Sequence, residues 1–153
     1  MKDPDKRQAI AILNRIMEAE LAGVVRYTHY SLMVYGPHRI PIADWMRANA
    51  QEGLAHAQKA GEMVTLLGGH PSLKIGELLE TERHDIEDIL TESLEHEQAA
   101  LDLYYDLLKL AESAAQSVLL EEYARQQIAA EEQHLDEVNK MLRKPGDILP
   151  FGA

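Results

Sequence analysis

Six residues of this chain are placed to do chemistry together: Glu20, Glu52, His56, Glu97, Glu131 and His134. Glu20 stands three and four residues from Met17, Ile16 and Val24, inside an apolar stripe at helical spacing. Glu97 likewise keeps register with Leu90, Leu94, Leu101 and Leu108. A carboxylate on such a stripe loses its hydration at considerable cost unless it is paired, protonated or bound to metal. Glu131-Glu-Gln-His134 puts a carboxylate and an imidazole on one helical face, flanked by Ala124, Ile128, Leu135 and Val138. Glu52-Gly-Leu-Ala-His56 makes a second such pair at i, i+4. An isolated Glu/His pair on a helix is ordinarily a surface feature. Recurrence in four successive helices is what carries the argument. One Glu from each of two helices, plus a Glu/His pair from each of the other two, is the donor set of a carboxylate-bridged dimetal site. The chain has no cysteine, so the donors are oxygen and imidazole only. That suits Fe(II) or Mn(II) and points to two iron ions per chain, with manganese as the alternative.

The elements that must position these groups are helices. Ala, Leu and Glu dominate the 153 residues, and Phe151 and Trp45 are alone of their types, which leaves little for a sheet. Pro4 suits a helix start and Gly36-Pro37 a stop, so the first helix covers about residues 5–34. The second runs over about 41–67, from Pro41 to Gly68-Gly69. The third covers about 82–112, with Thr81 or a neighbour as cap, and the fourth about 115–143, closed by Pro145-Gly146. The tail after it is too short and too broken for a fifth helix. Two short links make antiparallel hairpins, and the stretch at 70–81 is long enough, at roughly 40 Å when extended, to cross the bundle between them. The expected architecture is one all-α domain over residues 1–153, a four-helix bundle of two hairpins joined by a long crossover. A small internal repeat fits this symmetry: Glu20 is followed seven residues later by Tyr27, and Glu97 by Tyr104.

Composition removes other classes. The formal charge is −11, from 15 basic and 26 acidic residues, and an acidic protein of this kind repels nucleic acid. No segment has signal-peptide character or a long uncharged apolar run, which excludes a membrane span and implies a cytoplasmic address.

At these residues the chain resembles the bacterioferritin branch of the ferritin-like proteins, over nearly its full length. The segments ELAGVVRYTHYSLM, HAQKAGEMVTLLGGHPSL, DILTESLEHEQAALDLYYDLL and EEQHLDEVNKML carry the resemblance, in the family's order. It implies that Glu20, Glu97, Glu131 and His134 match the ferroxidase-centre ligands, that His56 matches the histidine of the second helix, and that Tyr27 matches the tyrosine beside the centre. Three departures stand out. Gly53 occupies the place of a family glutamate, so Glu52 serves only if a local helix bulge turns it inward. Leu54 falls where the haem-binding methionine would be, so no haem is expected. The absent fifth helix argues against a 24-subunit shell, and for a homo-oligomer between a dimer and the 12-subunit cage of Dps-type mini-ferritins.

The implied function is oxidation of Fe(II) by O2 or H2O2 for iron storage, detoxification and protection from oxidative stress. In it Tyr27 donates an electron or orders a carboxylate. Two alternatives use the same helices: a rubrerythrin-like peroxidase or manganese-catalase-like enzyme, and a non-enzymatic helical assembly protein. Among the remaining polar residues, His29, Tyr30 and Tyr35 read as structural, His84 and His96 as solvated on a charged face, and the acids from Glu77 to Asp88 as a hydrated helix start.

Overall fold

A computed structural model describes residues 1–152; Ala153 and the side chain of Pro4 lie outside that description. Four helices form: α1 (Asp3–Met33), α2 (Arg39–Leu66), α3 (Ile86–Ser113) and α4 (Val118–Leu142). Among the described residues there is no strand, no helix after α4, and no helix long and apolar enough to cross a membrane. Asp3 and Asp5 in the first turn of α1 suit its N-terminal dipole. Helix α2 ends where Gly68 takes a positive φ of 82°, which lets the Gly69 amide reach back to the Val64 carbonyl at 2.9 Å.

Helix α1 packs against α2 and α3, and α3 against α4, whereas α2 and α4 face each other at wider separation. Hydrogen bonds fix the direction of α3. Tyr30 reaches Glu92, Tyr27 reaches Glu97, and Glu20 receives Tyr104, so numbers fall on α1 as they rise on α3. The two helices are antiparallel, as one long crossover between hairpins requires.

That crossover is longer than the sequence implies. It occupies residues 67–85, and α3 begins only at Ile86. Asp85, not Thr81, caps α3 by accepting the Glu87 amide at 3.1 Å. The acidic stretch from Glu77 to Asp85 is therefore irregular strap, not helix. The strap lies along α1 and bonds to it. Asn14 Nδ2 donates to the His70 carbonyl at 3.1 Å, and Asn14 Oδ1 accepts the Ser72 amide at 2.8 Å. Ser72 Oγ donates to Glu18 at 2.6 Å, and the Gly76 amide donates to the Glu18 carbonyl at 2.8 Å. Gly76 is needed for that approach, because a Cβ there would come 3.2 Å from the Glu18 carbonyl oxygen and 3.3 Å from Ala22 Cβ. Backbone cannot yield as a side-chain tip can. Gly76→Ala is expected to cost about 1–2 kcal/mol, read from denaturant midpoints, with the loss largest in protease resistance of the strap.

The core divides into two apolar clusters. One gathers Leu13, Ile16, Val64, Leu101, Tyr104, Leu107, Leu120 and Ile128. The other gathers Tyr27, Tyr30, Val34, Met46, Ile89, Leu90 and Val138. On α1 and α3, Glu20 and Glu97 fall between residues of these clusters, so a polar layer separates two dry ends.

Candidate metal centre

The polar layer holds five of the six expected residues together. Glu20, Glu97 and Glu131 are 6%, 8% and 3% exposed, and His56 is 8% exposed. His56 Nδ1 lies 3.5 Å from Glu20 Oε1 and 3.2 Å from Glu131 Oε1, a three-donor group wholly inside the bundle. His134 Nε2 lies 3.6 Å from Glu97 Oε1. These groups meet because each occupies the apolar stripe of its own helix, so burying that stripe brings the acids in with it.

Glu52 is the exception. Its side chain is 54% exposed and approaches the other face of the His56 ring, with Oε1 3.7 Å from Nε2. Helix α2 is unbroken, and the bulge that would turn Glu52 inward does not occur. The inward direction belongs to Gly53, where a Cβ would lie 3.8 Å from Glu20 Oε2. One residue along a helix is a rotation of about 100°, enough to move Glu52 from the centre to its rim. There it faces the outer nitrogen of the ring from just beyond hydrogen-bond distance.

The Glu-x6-Tyr repeat is reciprocal. Tyr27 of α1 donates to Glu97 of α3 at 2.8 Å, and Tyr104 of α3 donates to Glu20 of α1 at 2.8 Å. Tyr27 also lies 2.9 Å from His134 Nε2. Burial, and then the Glu97 charge, raise the Tyr27 hydroxyl well above its ordinary range, so it stays a donor. Tyr27→Phe would leave Glu97 and His134 without their shared partner. The expected outcome is metal affinity weakened by about 10-fold, measured by competition with a chelator, with the fold kept.

Two further residues shape the site. Trp45 stacks on His134, with ring centres 5.5 Å apart and planes 4° from parallel. Asn49 is buried beside the centre, its amide held by the Trp45 carbonyl at 2.8 Å. Sequence reasoning passed over both, although Trp45, Asn49, Glu52 and His56 share a four-three-four spacing that puts them on one face. His96 is another correction. It is not solvated but packed over Gly23, and burial, then the Arg26 charge, hold its pKa down at about 4.

Electrostatics show what the layer lacks. Burial, followed by the charge of Glu131, pushes the Glu97 carboxyl up. Glu20 is also raised, by burial first, against the opposing hydrogen bond of His56. For His56 burial disfavours charge, yet hydrogen bonds to Glu131 and Glu20 outweigh it and lift the pKa to about 10. Without cations, the layer keeps protons to balance its carboxylates. One oxygen remains unsatisfied even so, since Glu131 Oε2 is buried with no hydrogen-bond partner. The space among these groups is about 10 Å³, room for about one water molecule or a small ion. Hard carboxylate oxygens with imidazole, an orphan oxygen and ion-sized space together fit iron or manganese.

The fold is a four-helix bundle in which each helix contributes a buried Glu or His to one layer. The sequence matches the ferritin family, described as a ferritin-like domain, over residues 10–146, and the chain belongs to that family. Its fold is similar to a ferritin-like, diiron-carboxylate protein from Bacillus anthracis str. Ames, with a TM-score of 0.86, 22% identity, and 94% of this chain and 100% of that one covered. It is also similar to Rhodobacter capsulatus bacterioferritin, solved with a metal-free dinuclear site and haem iron, with a TM-score of 0.76 and 21% identity over 96% and 97% of the two chains. No curated protein matches the sequence.

Proposed function

We propose that this chain takes up two iron ions in its polar layer and oxidises Fe(II) with dioxygen or hydrogen peroxide, in the service of iron storage, detoxification and protection from oxidative stress. The observation that carries the reading is the meeting of three buried carboxylates and two imidazoles around a space of ionic size. Glu20, His56, Glu97, Glu131 and His134 would hold the ions. Bound iron would supply two electrons at one place, so that the oxidant is reduced without release of a radical.

The chain's own residues do the rest. Glu97 and His56 give up their protons when cations enter, which exchanges one form of charge balance for another. Tyr27 keeps the Glu97 carboxylate and the His134 ring in place. The two apolar clusters keep bulk water out of the layer from either end. Leu54 offers no donor atom, so no haem is proposed. Leu32, Tyr35, Ile40 and Leu66 leave exposed apolar surface that suits a homo-oligomer, from a dimer to a 12-subunit cage. Metal-free protein given Fe(II) and either oxidant is expected to oxidise the iron at least about tenfold faster than buffer does. A rate equal to that of buffer contradicts the reading.

A further inference from the structure

A second group of donors lies outside the polar layer, where the strap meets the C-terminal half of α1. His29 of α1 and Glu80 and His84 of the strap bring two imidazoles and a carboxylate within 4.8 Å of one another. His29 Nε2 is 3.0 Å from Glu80 Oε2, and His84 Nε2 is 3.5 Å from Glu80 Oε1. The two rings have centres 5.8 Å apart.

We propose that His29, Glu80 and His84 form a mononuclear site for a divalent transition-metal cation, zinc or ferrous iron, whose occupancy fastens the strap to α1. Three observations lead there. Both Nε2 atoms are shielded from water and turn toward one carboxylate, yet neither makes a well-aligned hydrogen bond to it. Two shielded nitrogens drawn to one carboxylate without good hydrogen-bond alignment are better explained by a shared cation than by chance, because buried polar atoms are otherwise nearly always satisfied. The spacing also fits. Donors about 2.0–2.2 Å from one ion stand roughly 3.0–3.5 Å from each other, and each imidazole nitrogen lies at such a distance from a Glu80 oxygen. Glu80 is prepared for the role, since the Glu82 amide donates to it and holds the carboxylate below its usual range. Glu82 takes a positive φ of 57° to make that bond.

Two imidazoles and one carboxylate leave open positions on such an ion. A cavity of about 210 Å³, lined by Arg26, His29, Tyr30 and Glu80 among others, adjoins the site and has room for the waters that would fill them. The inference does not rest on the polar layer, which uses the opposite side of α1. The site joins residues 51 positions apart along the chain, from His29 to Glu80, so the ion would act as a cross-link on the one long irregular segment.

The test uses the full chain and zinc. His29→Ala combined with His84→Ala is expected to lower zinc stoichiometry by one per chain, in both the wild-type and the Glu131→Ala backgrounds, measured by calorimetry. Glu80→Gln is expected to weaken the same binding event at least tenfold with circular dichroism unchanged. Trypsin cleavage after Arg83 is expected to slow at least tenfold when zinc is added to wild type, and not when it is added to the double variant. Cobalt(II) absorption, displaced by zinc or by anaerobic Fe(II), identifies which cation binds more tightly. Unchanged stoichiometry in the double variant, or equal protection of Arg83 with and without the two histidines, overturns the proposal.

Discussion

Glu131→Ala is expected to abolish rapid iron oxidation while the metal-free bundle stays folded. Glu131 is the most deeply buried of the acids, and it is the one whose carboxylate touches both halves of the layer. Its Oε1 lies 3.2 Å from His56 Nδ1, and its charge helps to push up the Glu97 carboxyl. Its Oε2 has no protein partner, so the native fold gains nothing from that oxygen unless a cation is there. Removing the side chain relieves repulsion with Glu97 and leaves Glu20 as partner for His56, so metal-free stability should change little. Metal-bound stability should change greatly. A ligand at a thousand times its dissociation constant stabilises by about 4 kcal/mol, or roughly 10 °C in a domain of this size. That rise in melting temperature should vanish in the variant, with oxidation slowed about 100-fold or more. Normal oxidation kinetics with the metal-induced rise intact would remove Glu131 from the account.

The second large effect is a dependence on pH that bound metal reverses. His56 has a pKa of about 10 in the metal-free fold against an ordinary 6.5. Its stabilising contribution is therefore complete below the ordinary value and is lost as pH rises from about 6.5 through 10. Glu97, also raised, acts in the same direction, because the unfolded chain sheds that proton at lower pH than the folded one. His96 works oppositely. Its pKa of about 4 means that stability is lost as pH falls from 6.5 toward 4, when only the unfolded chain can take the proton. Metal-free protein should thus be most stable on the acid side of pH 6.5 and lose stability steadily above it. With metal bound, the protons of His56 and Glu97 are already gone, so the alkaline loss should largely disappear. Thermal melts across pH 5 to 10, with and without metal, check this, and an unbuffered solution should acidify when metal is added at neutral pH. A metal-free melting temperature that is flat or rising on the alkaline side contradicts the assigned charge balance.

What could be read from the sequence followed from periodicity. Glu20, Glu97, Glu131 and His134 each lie in phase with an apolar stripe, and a stripe that is buried must take its in-phase acids with it. The paired Glu and Tyr on α1 and α3 were visible as a repeat. Their exchange of partners was not, because it depends on the antiparallel register of two helices. Glu52 was misplaced by one residue of helix rotation, a difference that spacing alone resolves poorly when Gly53 offers no side chain to compare. The start of α3 failed for another reason. Residues 77–85 carry the acids and spacing of a helix start, yet they stay irregular, with the strap before them tied to Asn14 and Glu18 of α1 and Glu80 paired with His29. Local propensity gave way to contacts across more than fifty residues. The same contacts removed His84 from the solvated face that the sequence implied and set it beside His29.

Anaerobic Fe(II) titration of purified protein tests most directly whether these buried acids exist to hold a metal pair. Wild type should bind two more ions per chain, tightly, than a protein carrying Glu20→Ala and Glu97→Ala. Equal binding by the two proteins would mean that the acids are buried for some other reason.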